Sequence, residues 1–133
     1  MDAQQELFIK LLIELKTLFN DFTLDCPVYD GFMPAEDTDY PFIYLADSLQ
    51  DEQTTKSKLL GNITQTIHIW NSDPHKRGTT SRIAEQIKRV CRKIGNTDNY
   101  NWMVVGLTQQ TIVDRTTKVP LMHTILTIEF KYS

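Results

Sequence analysis

At 133 residues and 15.4 kDa, surface scaling gives a folded accessible area of roughly 7,000 Å² against roughly 22,000 Å² unfolded, so a single domain over residues 1–133 is expected. Hydrophobic residues at 41%, charged residues at 23%, and only 5 Gly and 5 Pro exclude collagenous, mucin-like and disordered classes. No apolar run approaches the ~18 residues of a membrane span, and Asp2 and Glu6 stand where a secretory signal carries Lys or Arg, so the chain is expected to stay in the cytoplasm where it is made.

Two cysteines, Cys26 and Cys91, are too few and too far apart for a disulfide scaffold or zinc ribbon, which points to a reducing setting. The net charge of -3 hides a division: residues 1–60 hold 12 acids and 4 bases, residues 61–133 hold 5 acids and 10 bases.

In chain order, Leu7, Leu11, Leu15, Leu18 and Phe22 recur at steps of three and four, widened by Phe8, Leu12 and Phe19, and predict a helix over 3–22 that covers one sheet face. Asp2 with Gln5 is a capping-box-like start, and Cys26-Pro27 stops the helix. A short strand at Val28-Tyr29 follows. Residues 30–40 combine a turn signal with four acids, and 41–46 read as a strand buried on both faces with Pro41 as its first residue. The polar stretch from Ser48 to Gly61 reads as a long loop or an extended hairpin arm.

Between Asn62 and Trp70, Ile63, Ile67 and Ile69 share one face and Thr64, Thr66, His68 and Trp70 the other, which predicts a strand covered on both sides. A turn at 72–79 leads to a second helix capped by Thr80 or Ser81, with Ile83, Ile87, Val90, Cys91 and Ile94 as its core stripe and Gly95 as its end. Residues 100–113 and 119–132 predict an antiparallel hairpin around the turn at 114–118. The expected fold class is α+β: a mostly antiparallel sheet with two packed helices.

Chemistry-bearing patterns are sparse. His68, His75 and His123 lack the short spacings that place two ligands on one metal, and the Asp73-Pro74-His75 turn reads as a solvated loop. No nucleophile elbow, phosphate loop or dinucleotide fingerprint occurs, and Glu36, Asp37 and Asp39 lie in one loop without a signal of burial. The expectation is therefore no enzyme, no metal and no cofactor.

The second helix carries the strongest signal. Seven of the 14 bases fall within residues 76–93, and Arg82, Lys88, Arg89, Arg92 and Lys93 lie opposite the apolar stripe with Glu85 as the acid among them. Such a face serves solubility, contacts a phosphate backbone, or docks the acidic half of an identical neighbour. The division of charge favours the last, because head-to-tail contacts close into rings and gain register from opposite charge.

Several local phrases sit in the same order as in a known family: Pro27-Val28-Tyr29-Asp30, Tyr40-Pro41-Phe42-Ile43-Tyr44-Leu45, Lys56 with Gly61, Ile67-His68-Ile69-Trp70, and Ile83-Ala84 with Ile87. Across about residues 7–132 the chain resembles the tail-completion or tail-terminator proteins of bacteriophages with long, non-contractile tails. The resemblance implies a virion structural protein without chemistry. It would be made in the host cytoplasm and form a ring, commonly hexameric, that caps the head-proximal end of the tail tube, stops polymerisation and meets the head-neck connector.

On that reading Arg82, Arg89, Arg92 and Lys93 face Glu36, Asp37 and Asp39 of a neighbouring subunit. Lys56 and Lys58 face the tube, or the lumen through which DNA passes. The rival readings are a head-completion or neck connector protein, and a small metal-dependent or nucleic-acid-binding protein.

Overall fold

The computed structural model describes residues 1–20, 26–35, 37–55 and 59–133. Helix α1 (Ala3–Asn20) is followed by strands β1 (Val28–Asp30), β2 (Phe42–Thr54) and β3 (Leu59–Asn71), helix α2 (Arg77–Lys93), and strands β4 (Trp102–Asp114) and β5 (Leu121–Tyr132). The fold is α+β, and the sheet runs in the order β1-β2-β3-β5-β4. Every pairing is antiparallel except β1 with β2, which is parallel.

Asp2 opens α1 by accepting the Gln4 N–H on its carboxylate at 3.1 Å, which fills one of the orphan donors of the first turn. Leu7, Leu11, Leu15 and Phe19 are buried as the stripe predicts; Phe22 lies outside the described residues. Glu6 is buried in the same row because its carboxylate accepts the Asn99 N–H at 3.1 Å and the Asn99 side-chain amide at 2.7 Å, tying α1 to the segment after α2. An acid is tolerated at a core position only with such donors.

The stretch after Ser48 resolves the two readings offered above: it is a hairpin arm. β2 and β3 pair from Phe42↔Trp70 to Thr54↔Leu59, with one bulge between Leu45 and Ser48. The Tyr40-Pro41 peptide is cis, and Phe42 follows it as the first strand residue.

α2 begins earlier than its cap signal suggests. Lys76 is the N-cap and makes no side-chain cap bond, while Thr80 is buried inside the helix, where it donates to the Lys76 carbonyl and accepts from Asn71 at 3.4 Å each. A threonine turned back onto the preceding turn is satisfied without capping anything.

Both helices lie on one side of the sheet, α1 against β1 and β2, and α2 against β3, β4 and β5. Ile43, Leu45, Ile63, Ile67, Ile69, Leu126, Ile128 and Phe130 fill the space between. Among the described residues, no helix covers the other side. There Thr64, Thr66, His68 and Trp70 are half-buried, which corrects the expectation of a strand covered on both sides: alternation reports two faces that differ, and a half-open aromatic face looks apolar in sequence. The chain exposes 8115 Å², above the roughly 7,000 Å² of a compact chain of this mass, as long hairpin arms and an open sheet face require.

Candidate assembly surfaces

Three surfaces are candidates for contact with other molecules. The first is the open side of the sheet. Register places Trp70 directly across from His123, and their rings stack at 3.6 Å between centroids. His68 lies on the diagonal, so its Nδ1 meets His123 Nε2 at 2.6 Å, and the Tyr44 ring stacks on its far side at 6.1 Å.

Of the three histidines singled out by sequence, two therefore meet, while His75 sits exposed in the turn before α2. Trp70 Nε1 is buried without a partner. Among the described residues no group of three His, Cys, Asp or Glu could hold a metal. Cys26 is buried, and burial pushes the Cys91 thiol up to about 12, away from the range of a nucleophile.

Burial holds both imidazoles below the ordinary histidine range, with Asp47 opposing the shift at His68. At His123 the neighbouring His68 adds to the effect of burial and Asp114 opposes it, leaving a value of about 4. The unfolded chain takes up these protons near pH 6.5 while the folded chain refuses them. Stability is thus complete above about pH 6.5 and declines as pH falls toward 4.

The ring of His123 is half-buried and so partly screened, which brings the loss to about 1 kcal/mol, less than the full shift implies. Thermal unfolding followed by circular dichroism is expected to show a falling Tm between pH 6.5 and 4, and His123→Gln to flatten that fall. An unchanged slope in the variant would assign the decline to other groups.

The second surface is the outer face of α2. Arg82, Arg89, Arg92 and Lys93 are exposed and Lys88 is half-buried, because Ile83, Ala84, Ile87 and Cys91 take the sheet side. Arg89 pairs with Glu85 one turn earlier at 3.0 Å.

The third surface is the loop between β1 and β2. Asp37 and Asp39 are exposed there; Glu36, Lys56 and Lys58 lie outside the described residues. β1 forms one edge of the sheet under α1, whereas α2 lies over the strands toward the other edge. The acidic loop and the basic helix face are thus carried by different parts of the molecule. Among the described residues, no ion pair joins Arg89, Arg92 or Lys93 to Asp37 or Asp39.

Sequence reasoning missed the apolar part of this loop. Asp30 and Phe32 close a tight turn through a 2.9 Å backbone bond around Gly31, whose φ of 77° suits glycine. The Tyr44 hydroxyl donates to the Gly31 carbonyl at 3.3 Å. This turn leaves Phe32 87% and Met33 50% exposed. It also missed a groove of about 340 Å³ between the helices, floored by Leu18, Val90 and Ile94 and rimmed by Lys10, Glu14 and Lys93.

No protein-family model and no curated protein matches the chain. Solved structures do share its fold. A chain of the virion of a native gene transfer agent particle aligns with a TM-score of 0.61 at 13% identity, covering 98% of this chain and 93% of that one. A second solved chain, which carries no functional name, aligns with a TM-score of 0.61 at 11% identity over 100% of this chain and 97% of its own. No described helix is long and apolar enough to cross a membrane.

Proposed function

We propose that the chain is a phage virion structural protein of the tail-terminator type. It forms a closed ring on the head-proximal end of a tail tube, stops further addition of tube protein, and presents its opposite side to the head-neck connector. The observation that carries this reading is the likeness in fold, over 98% of the chain, to a chain of a gene transfer agent virion.

The phrases behind the family resemblance support it from their places in the fold. Pro27 to Asp30 leads into and forms β1, Tyr40 to Leu45 enters β2, Ile67 to Trp70 ends β3, and Ile83, Ala84 and Ile87 make the buried stripe of α2. They are therefore framework residues, and family likeness resides in the framework.

The ring contact in this reading sets Arg82, Arg89, Arg92 and Lys93 of one copy against Glu36, Asp37 and Asp39 of the next. Opposite charges on different parts of one molecule give a head-to-tail contact, which closes when the rotation per copy divides a full turn. Lys56 and Lys58, which fall between β2 and β3 in the sequence, are the proposed contacts to the tube or to DNA in the lumen. No catalytic step, metal or cofactor enters this role.

The purified full chain is expected to elute as one discrete multiple of its mass, six by the family resemblance, in size-exclusion chromatography with light scattering. Added to polymerising tail-tube protein, it is expected to shorten the tubes seen by negative stain. A chain that stays monomeric, leaves tube length unchanged and binds portal-bearing heads would overturn this reading in favour of a head-completion protein.

A further inference from the structure

Charge alone fixes a register weakly, because exposed ion pairs are screened and worth little. A contact that holds a ring needs a buried apolar anchor ringed by such charges. Among the described large hydrophobic residues, Phe32 is the most exposed. Phe32 and Met33 project from the turn at Gly31 with little cover, and two acids of the same loop, Asp37 and Asp39, are exposed close by. Nothing in the core requires an aromatic ring there, and Tyr44 pins the turn that presents it.

The α1–α2 groove has the converse character. Its floor of Leu18, Val90 and Ile94 is apolar, and its volume of about 340 Å³ equals roughly ten water volumes, room for an aromatic and a thioether side chain together. Lys10 and Lys93 stand on its rim; Glu14 is the acid there, paired to Lys10 at 3.0 Å. Lys93 also belongs to the basic face of α2, so groove and basic face form one continuous surface. No residue of the Phe32 turn lines the groove, so within one copy the two stay unmatched.

We propose that the Phe32-Met33 turn of one copy seats in the groove between α1 and α2 of a second copy, with Asp37 and Asp39 meeting Lys93 and Lys10 at its rim. This rests on the ring reading above and adds the anchor to it. The partner is a second copy because apolar protrusion and acids on one loop match apolar floor and bases on one groove of the same molecule. A knob and a pocket in different places make a heterologous contact, which propagates from copy to copy until it closes.

The test compares the full chain with Phe32→Ser, Phe32→Leu and Val90→Lys by light scattering across a dilution series, with circular dichroism to verify folding. Phe32→Ser and Val90→Lys are expected to raise the concentration of half-assembly at least about tenfold, and Phe32→Leu to stay within about threefold of the parent.

An independent readout uses Met33→Cys and Lys93→Cys chains, since the native cysteines are buried. Under mild oxidation a mixture of the two single variants is expected to give linked pairs, and the double variant a ladder. If the parent forms rings and Phe32→Ser forms them equally well, the anchor is wrong and the ring reading stands. A parent chain that remains monomeric at every concentration overturns both.

Discussion

The substitution Gly61→Ala is expected to lower stability by about 3 kcal/mol, and Tm by about 10 °C, as read by thermal and urea unfolding. Gly61 lies in β3 between Glu52 of β2 and Tyr132 of β5. A Cβ there would collide with the Asp51 carbonyl oxygen and approach Tyr132 Oη to 2.7 Å.

Neither neighbour can yield cheaply. The Asp51 carbonyl is strand backbone, and Tyr132 is 1% exposed. Its hydroxyl accepts from the Gln50 amide at 2.9 Å, and its ring packs edge-on against Tyr100 with centroids 5.5 Å apart. The added methyl must therefore displace β2 or break the Gln50–Tyr132 bond. Gly78→Ala in α2 is the control. Nothing lies within 4 Å of its Cβ position and its φ is ordinary, so it is expected to raise stability by roughly 0.5 kcal/mol through helix propensity alone. Equal effects at the two positions would mean that β3 accommodates a side chain at 61 by relaxation.

Elements with one strongly buried face were legible in the sequence. β5 alternates Met122, Thr124, Leu126, Ile128, Phe130 and Tyr132 toward the helices, and every one of them is buried. The stripe of α2 was equally plain, so its basic outer face followed by subtraction. The open sheet face was not legible. Nothing local indicates that residues 68 and 123, 55 positions apart, share a hydrogen bond; that depends on the β3–β5 register, which only the assembled sheet fixes.

The cap of α2 was misplaced for a related reason. Thr80 has the chemistry of a cap, but burial beside Asn71 gives it other partners. The proposed seat for a second copy was half legible. Charge patterning marks Arg82, Arg89, Arg92 and Lys93 and the acids of the 30–40 loop, because long runs of one sign stand out in a sequence. Phe32 and Met33 are a short apolar pair in an acidic loop, too short to carry any periodicity. Their meaning depends on the positive φ of Gly31 and on the absence of local burial, both properties of the folded chain.

Reversal of two α2 arginines, Arg89→Glu with Arg92→Glu, is expected to abolish the proposed ring at micromolar concentration and leave the fold intact. Each exposed cation contributes at most about 1 kcal/mol to a contact. Reversal replaces attraction by repulsion at two positions, however, so the change per contact is about 2–4 kcal/mol, or roughly 30- to 1,000-fold in dissociation constant. A closed ring repeats that change at every contact.

Within the monomer the cost is small. Arg89→Glu loses an exposed i,i+4 pair with Glu85 and sets two acids one turn apart, a loss of about 1 kcal/mol that circular dichroism would register as a slightly lower Tm. Two further results distinguish a specific charge contact from general destabilisation. The parent ring should loosen as ionic strength rises, since the Debye length falls from about 10 Å at 0.1 M to about 3 Å at 1 M. The reversed chain should regain assembly when Asp37→Lys and Asp39→Lys are added, because the pairing is then restored with its signs exchanged. Restored stability without restored assembly would move the partner of the basic face off the acidic loop, and onto the tube protein or nucleic acid.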